Sequence, residues 1–112
     1  MNVQECKSEG DWSALLTESH ESPVYLFKHS TTCSASAGAW QRFSRFAEEV
    51  ENVRLWRILV RENRVLAEII AEQTGVKHES PQVILFRYGR PIGSRSHRAI
   101  TESSLRDLLS TS

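Results

Sequence analysis

Trp12, Leu15 and Leu16 recur at helical spacing and predict a short helix that ends near His20. Ser8-Glu9-Gly10-Asp11 ahead of it resembles a weak capping box. Glu21-Ser22-Pro23 breaks that stripe and leads into Val24-Tyr25-Leu26-Phe27, apolar at four successive positions and so on both faces. Such a run predicts a central strand covered by helices on both sides. Lys28 to Thr32 then reads as a polar loop of hydroxyls with one histidine. From Ser34 to Val50 the pattern is helical again, with Trp40, Phe43, Phe46, Ala47 and Val50 on one stripe. Glu48 and Glu49 lie at the wrong end of that helix to gain from its dipole.

Leu55 to Val60 is a second strand, and Arg64 to Thr74 an amphipathic helix carrying Val65, Leu66, Ile69 and Ile70. Gly75 suits the position just past its end, and Arg64 with Glu68 forms an i,i+4 pair in the less favourable order. Pro81 opens a third strand, Gln82 to Tyr88, and Gly89-Arg90 supplies a hairpin turn. Residues 91–97 make a poor return strand, as an edge would be. Ile100, Thr101 as N-cap, then Leu105, Leu108 and Leu109 predict a closing helix of about two turns. The order is helix, β, α, β, α, β, β, α, with residues 2–6 as a candidate extra strand. Crossovers imply a parallel pair and the hairpin an antiparallel one. The expected fold class is α/β, a mixed parallel and antiparallel sheet of four or five strands with helices on both faces. Among compact folds near this length, the thioredoxin fold matches that order best.

Composition narrows the function. The 112 residues and 12.8 kDa suit one domain, residues 1–112, and the 39% hydrophobic and 25% charged content is that of a globular chain with a core of its own. Fourteen basic residues balance fourteen acidic ones, which excludes a polybasic nucleic-acid binder or an acidic tail and leaves local patches open. Cys6 and Cys33 make no disulfide framework and no CxxC motif. The opening MNVQECKSEGDW lacks the basic and apolar regions of a signal peptide, and the apolar run at 83–86 is too short to cross a bilayer. The expectation is a cytoplasmic protein with free thiols and neither nucleic acid nor membrane as partner.

Cys33 is the sharpest chemical feature. It follows a strand and a polar loop and directly precedes a long helix, where unpaired backbone N–H groups and the positive end of the dipole favour thiolate over thiol. Lys28 and His29 add positive potential if they face the loop. Ser30, Thr31, Thr32, Ser34 and Ser36 surround Cys33 with polar groups, unlike a buried structural cysteine. Ser36, three residues on, stands where a dithiol enzyme carries its second cysteine. Its hydroxyl can donate to the thiolate but cannot close an internal disulfide, so an outside thiol or Cys6 must resolve any adduct. Nothing around Cys6 marks it as reactive.

Pro81, preceded by Lys77-His78-Glu79-Ser80, would be cis in a thioredoxin-like arrangement and would set backbone groups of Ser80 beside the thiol. His78 with Glu79, or His29 with Cys33, matches no structural zinc spacing, and no metal is expected. Arg87, Arg90, Arg95 and Arg98 lie in a stretch free of acidic residues. Such a stretch either attracts an anionic partner, such as a carboxylate-bearing thiol, or protects a solvated hairpin edge. Trp12, Trp40 and Trp56 are spaced as core residues, not as stacking platforms.

Phe27-Lys28-His29-Ser30-Thr31-Thr32-Cys33 and Val76-Lys77-His78-Glu79-Ser80-Pro81-Gln82 resemble the YtxJ-type family, monothiol bacilliredoxins of the bacillithiol redox system with a thioredoxin fold. The likeness runs from Trp12 to the last helix and takes in Glu62-Asn63-Arg64 and Gly75. It implies that Cys33 attacks a protein–bacillithiol mixed disulfide and that Pro81 is the adjacent cis-proline. Members commonly carry proline directly after the cysteine, whereas here the run is Thr32-Cys33-Ser34-Ala35-Ser36. Its loss removes some pre-organisation of the helix start and adds an N–H able to bond the thiolate.

The resulting expectation is a thiol–disulfide exchange enzyme acting on S-thiolated client proteins. Its only co-substrate is a low-molecular-weight thiol, and no cofactor is implied. Cys33, Ser36 and Pro81 are the catalytic candidates, and Thr32, Ser34, Ser80, His29 and Lys28 the substrate-binding ones. Two rivals share the fold: a carrier holding an iron–sulfur cluster between two subunits, and a stress-related binding adaptor. Colour on anaerobic purification marks the first, and full function after Cys33→Ser the second.

Overall fold

The computed structural model describes residues 1–111. Its central strand, β2 (Val24–His29), is buried along its whole length. Strand β3 (Arg54–Leu59) pairs with it in parallel and β4 (Gln82–Arg87) antiparallel. The short β1 (Val3–Glu5) runs parallel to β3 at one edge, and β5 (Arg90–Ser96) closes the other edge against β4. The order β1-β3-β2-β4-β5 makes a five-stranded mixed sheet. The candidate strand near the N-terminus therefore exists, one residue shorter at each end than residues 2–6.

Alternation along β2 sorts the core into two layers. Val24 and Leu26 face helices α1 (Glu9–Glu18) and α3 (Arg64–Thr74), joining Trp12, Leu15, Trp56, Leu66 and Ile70. Tyr25 and Phe27 face α2 (Ser34–Glu49) and α4 (Glu102–Leu109), joining Phe43, Phe46, Leu105 and Leu108. Edge-to-face rings tie Tyr25 to Phe43 and Phe46, and the Tyr25 hydroxyl donates to the Leu105 carbonyl at 2.7 Å. Trp12 and Trp56 lie in the core as spaced, whereas Trp40 is half-buried and packs against His29.

Local chemistry sets the ends of these elements. Ser8 caps α1 by accepting from the Asp11 N–H, while Asp11 reaches back to the Lys7 N–H, one residue before the usual capping-box position. Thr101 and Ser104 form a reciprocal capping box on α4. Gly75 ends α3 at φ 72°, a left-handed geometry that glycine adopts without a Cβ clash. Two expectations change. The loop read from Lys28 begins only after His29, because the β2 ladders continue through Lys28 opposite Ile58 and Gln82 and through His29 opposite Leu59. Arg64 and Glu68 form no ion pair among the described residues. No helix of the described residues is long and apolar enough to cross a membrane.

Phe43 and Gly93 report on the packing between β5, α4 and the α2 layer. Phe43 is wholly buried among aromatic rings, so Phe43→Ala is expected to cost about 3–5 kcal/mol in guanidinium unfolding. A Cβ on Gly93 would lie 2.8 Å from Leu108 Cδ2. Gly93→Val is expected to overpack that contact and cost about 1–3 kcal/mol by the same measurement.

Candidate functional site

The loop after β2 and the start of α2 meet the segment before β4 at one end of the sheet. Cys33 is the N-cap of α2, in extended backbone geometry (φ −108°, ψ 121°), and its carbonyl accepts the first helical bond, from the Ala37 N–H. The thiol is partly exposed and makes no side-chain cap bond. The N-cap position adjoins the early N–H groups of the helix, which have no partner within the helix itself.

Ser36 is placed differently from the sequence expectation. It is completely buried, and its Oγ accepts from the Ser30 N–H at 3.0 Å and shares a 2.8 Å hydrogen bond with His29 Nδ1. No hydrogen bond joins it to Cys33 among the described residues. The reason is geometric: His29 remains in β2 and faces α2, so the first helical turn lies on its ring. Burial first, and then the Arg57 guanidinium, hold the His29 imidazole below its ordinary range. Trp40 packs against His29, the Arg57 guanidinium stands 4.9 Å over the Trp40 ring, and Arg57 is held by Glu5 at 2.6 Å. His29 therefore supports the helix start and does not project into the loop.

Lys28 points to the opposite face. Its side chain is fully buried, and its Nζ lies 3.4 Å from His78 Nδ1. Burial pulls the amine down to about 8 against a smaller raising effect from Glu79. Burial, followed by the Lys28 charge, also lowers His78. Thr32 and Ser34 are exposed, and Thr32 Oγ1 accepts from Arg61 at 2.8 Å. Sequence reasoning missed Arg61. The signal lay in the parallel register, which carries the residues after β3 to the level of the loop after β2.

The Ser80–Pro81 peptide is cis and Pro81 is buried. Ser80 Oγ is buried without a partner among the described residues, and the Pro81 carbonyl accepts from the His97 N–H. Gln82 follows and bridges the Lys77 carbonyl and Ser96 Oγ. Cys6, just past β1, is 1% exposed in the α1/α3 layer, and burial with the nearby Asp11 charge pushes its thiol up to about 12. Its N–H bonds the Arg57 carbonyl of β3. Sealed in the α1/α3 layer, its sulfur is not free to resolve an adduct on Cys33. Of the four acid-free arginines, Arg87 donates to the Leu109 carbonyl and Arg95 to that of Ser94. Arg87 also borders a small cavity beside residues 19–23, and Arg98 borders one beside α2.

Among solved structures, a protein provisionally described as an oxidoreductase with a thioredoxin fold is 33% identical. That match covers 96% of this chain and 93% of the other, with a TM-score of 0.87. Thioredoxin from Malassezia sympodialis aligns at 17% identity over 97% of this chain and 89% of its own, TM-score 0.75. Fasciola hepatica thioredoxin aligns at 17% over 96% of both, TM-score 0.74. These two establish the fold alone. The family model of the monothiol bacilliredoxin BrxC matches residues 4–105. This chain is therefore a member of the monothiol bacilliredoxin family, a thioredoxin-fold protein of thiol redox chemistry.

Proposed function

We propose that the protein removes a low-molecular-weight thiol, bacillithiol or a similar one, from S-thiolated client proteins through Cys33. The observation that carries this reading is the contrast between its two thiols: one partly exposed at a helix N-terminus, the other buried and pushed up to about 12. Thiolate, not thiol, is the nucleophile, and of the two sulfurs only that of Cys33 is within reach of a protein disulfide. The Cys33 thiolate attacks the small-thiol sulfur of the mixed disulfide, and the client cysteine leaves with the electron pair of the broken S–S bond. Cys33 then carries the small thiol until a second thiol displaces it.

The other residues act around that exchange. Ser36 and His29 hold the first turn of α2 in place. Thr32 and Ser34 border the incoming disulfide, and the backbone at Ser80–Pro81 aligns it. The unpartnered Ser80 hydroxyl supports a segment with hydrogen-bonding capacity to spare. Lys28 adds positive charge behind the loop. No cofactor enters, and the small thiol is the co-substrate.

Release of a small thiol from an S-thiolated protein substrate, followed by mass spectrometry, tests the reading. Cys33→Ser is expected to lower the rate at least about 10³-fold, as loss of a covalent nucleophile does. Cys6→Ser is expected to stay within about twofold of the parent. Retention of activity by Cys33→Ser would overturn the proposal.

Lys28 gives a pH signature in stability. Its folded value, about 8, lies below the ordinary 10.5, so the unfolded chain binds more protons between those values. Stability therefore rises with pH across that window, by about 3 kcal/mol in all. Lys28→Met is expected to stabilise the protein at pH 7 and to flatten the rise when urea unfolding is followed from pH 7 to 10.5. A rise that survives the substitution would place the titration elsewhere.

A further inference from the structure

A cavity of about 440 Å³ opens beside the first turns of α2, lined by Ala35, Gly38, Arg42, His97 and Arg98. Every ionisable side chain in that lining is basic. Gathering like charges costs energy that a bound anion would recover. The Glu79 carboxylate, its Oε1 3.8 Å from His97 Nε2, offsets the histidine and forms no ion pair with Arg42 or Arg98 among the described residues.

Arg42 is unlike an ordinary surface arginine. Arg42 donates through Nε to the Ile100 carbonyl and through one terminal nitrogen to that of His97. Its guanidinium is thus fixed in advance, leaving its other terminal nitrogen 3.5 Å from where a Gly38 Cβ would stand. Arg98 sits in the 3-10 turn His97–Ala99 and has no hydrogen bond or ion pair among the described residues. Ala35 and Gly38 keep the helix side of the cavity low.

The cavity begins two residues beyond Cys33, and Gly38 is about 7–8 Å further along the helix axis than Cys33, within the length of a small thiol. A larger cavity of about 550 Å³ lies on the α3 side, lined by Arg61, Arg64 and His78. It also contains Glu68, whose carboxylate opposes an anion.

We propose that the cavity along α2 binds a carboxylate of the small thiol that becomes joined to Cys33, with Arg98 and Arg42 as its cationic partners. Guanidinium forks match the two oxygens of a carboxylate. The proposal rests on the exchange reading and adds to it the residues that would hold the anionic end of the small thiol. In each turnover the probe's S–S bond breaks, a Cys33–S bond forms, and one small thiolate leaves with the electron pair. There is no net oxidation.

The test uses the full chain and two disulfide probes, that of mercaptosuccinate and the neutral one of 2-mercaptoethanol. Formation of the Cys33 adduct is timed by mass spectrometry, and each rate is divided by that of dithiothreitol with the same probe. A preference of about tenfold for the dicarboxylate probe is expected, falling in 0.5 M salt as a surface charge effect should. Arg98→Gln is expected to remove at least about fivefold of it with the neutral rate unchanged, and Arg64→Gln to leave it intact. Equal normalised rates for both probes in the parent protein would overturn the subsite while leaving exchange standing. Loss of the preference in Arg64→Gln but not in Arg98→Gln would overturn it in favour of the α3 side. Failure of Cys33 to react with either probe would overturn the exchange reading and the subsite with it.

Discussion

The hydroxyl of Ser36 is bound at once to the His29 ring and to the Ser30 N–H, and that junction fixes where α2 begins. It ties the last residue of the central strand, the first residue of the loop and the first turn of the helix into one unit. Cys33 is placed by consequence: three residues before a buried anchor, it must sit at the rim of the helix. Buried polar groups are costly unless satisfied, and here the two side chains satisfy one another. The position that in a dithiol protein would carry a second reactive sulfur serves this chain as a fastening.

The central strand imposes a second constraint. A strand buried on both faces leaves no solvated side for its last residues, so Lys28 and His29 are enclosed on opposite faces of the sheet. Histidine finds a hydroxyl and an indole. Lysine finds only the edge of His78, and no carboxylate forms an ion pair with it among the described residues. Burying a cation this way works against stability, so the residue is better understood through the charge it sets behind the loop.

The sequence was legible where patterns repeat. The helical stripes, the doubly apolar run at Val24–Phe27 and the hairpin around Gly89 located the elements to within a few residues, because core burial enforces those periods. Polar residues were read by composition, and there the reading failed in an instructive way. Lys28 and His29 look like loop residues, yet the ladder to Gln82 and Leu59 keeps them in the strand. Ser36 looked free to serve the thiol, but its partner was fixed by a strand end that sequence alone placed two residues too early. Arg42 and Arg61 carry no local signal, since their positions depend on register and on helix-to-turn packing far along the chain.

The burial of Cys6 has a consequence for electron accounting. A protein with two accessible thiols can hand over two electrons by closing a disulfide within itself, and so holds reducing power until it is recharged. A chain whose second sulfur is sealed in the core has no such reserve. In the proposed exchange at Cys33, a small thiol only moves from one sulfur to another and the number of disulfides is unchanged. The fraction of the protein carrying an adduct then follows the ratio of small disulfide to small thiol around it, as an indicator follows its solution.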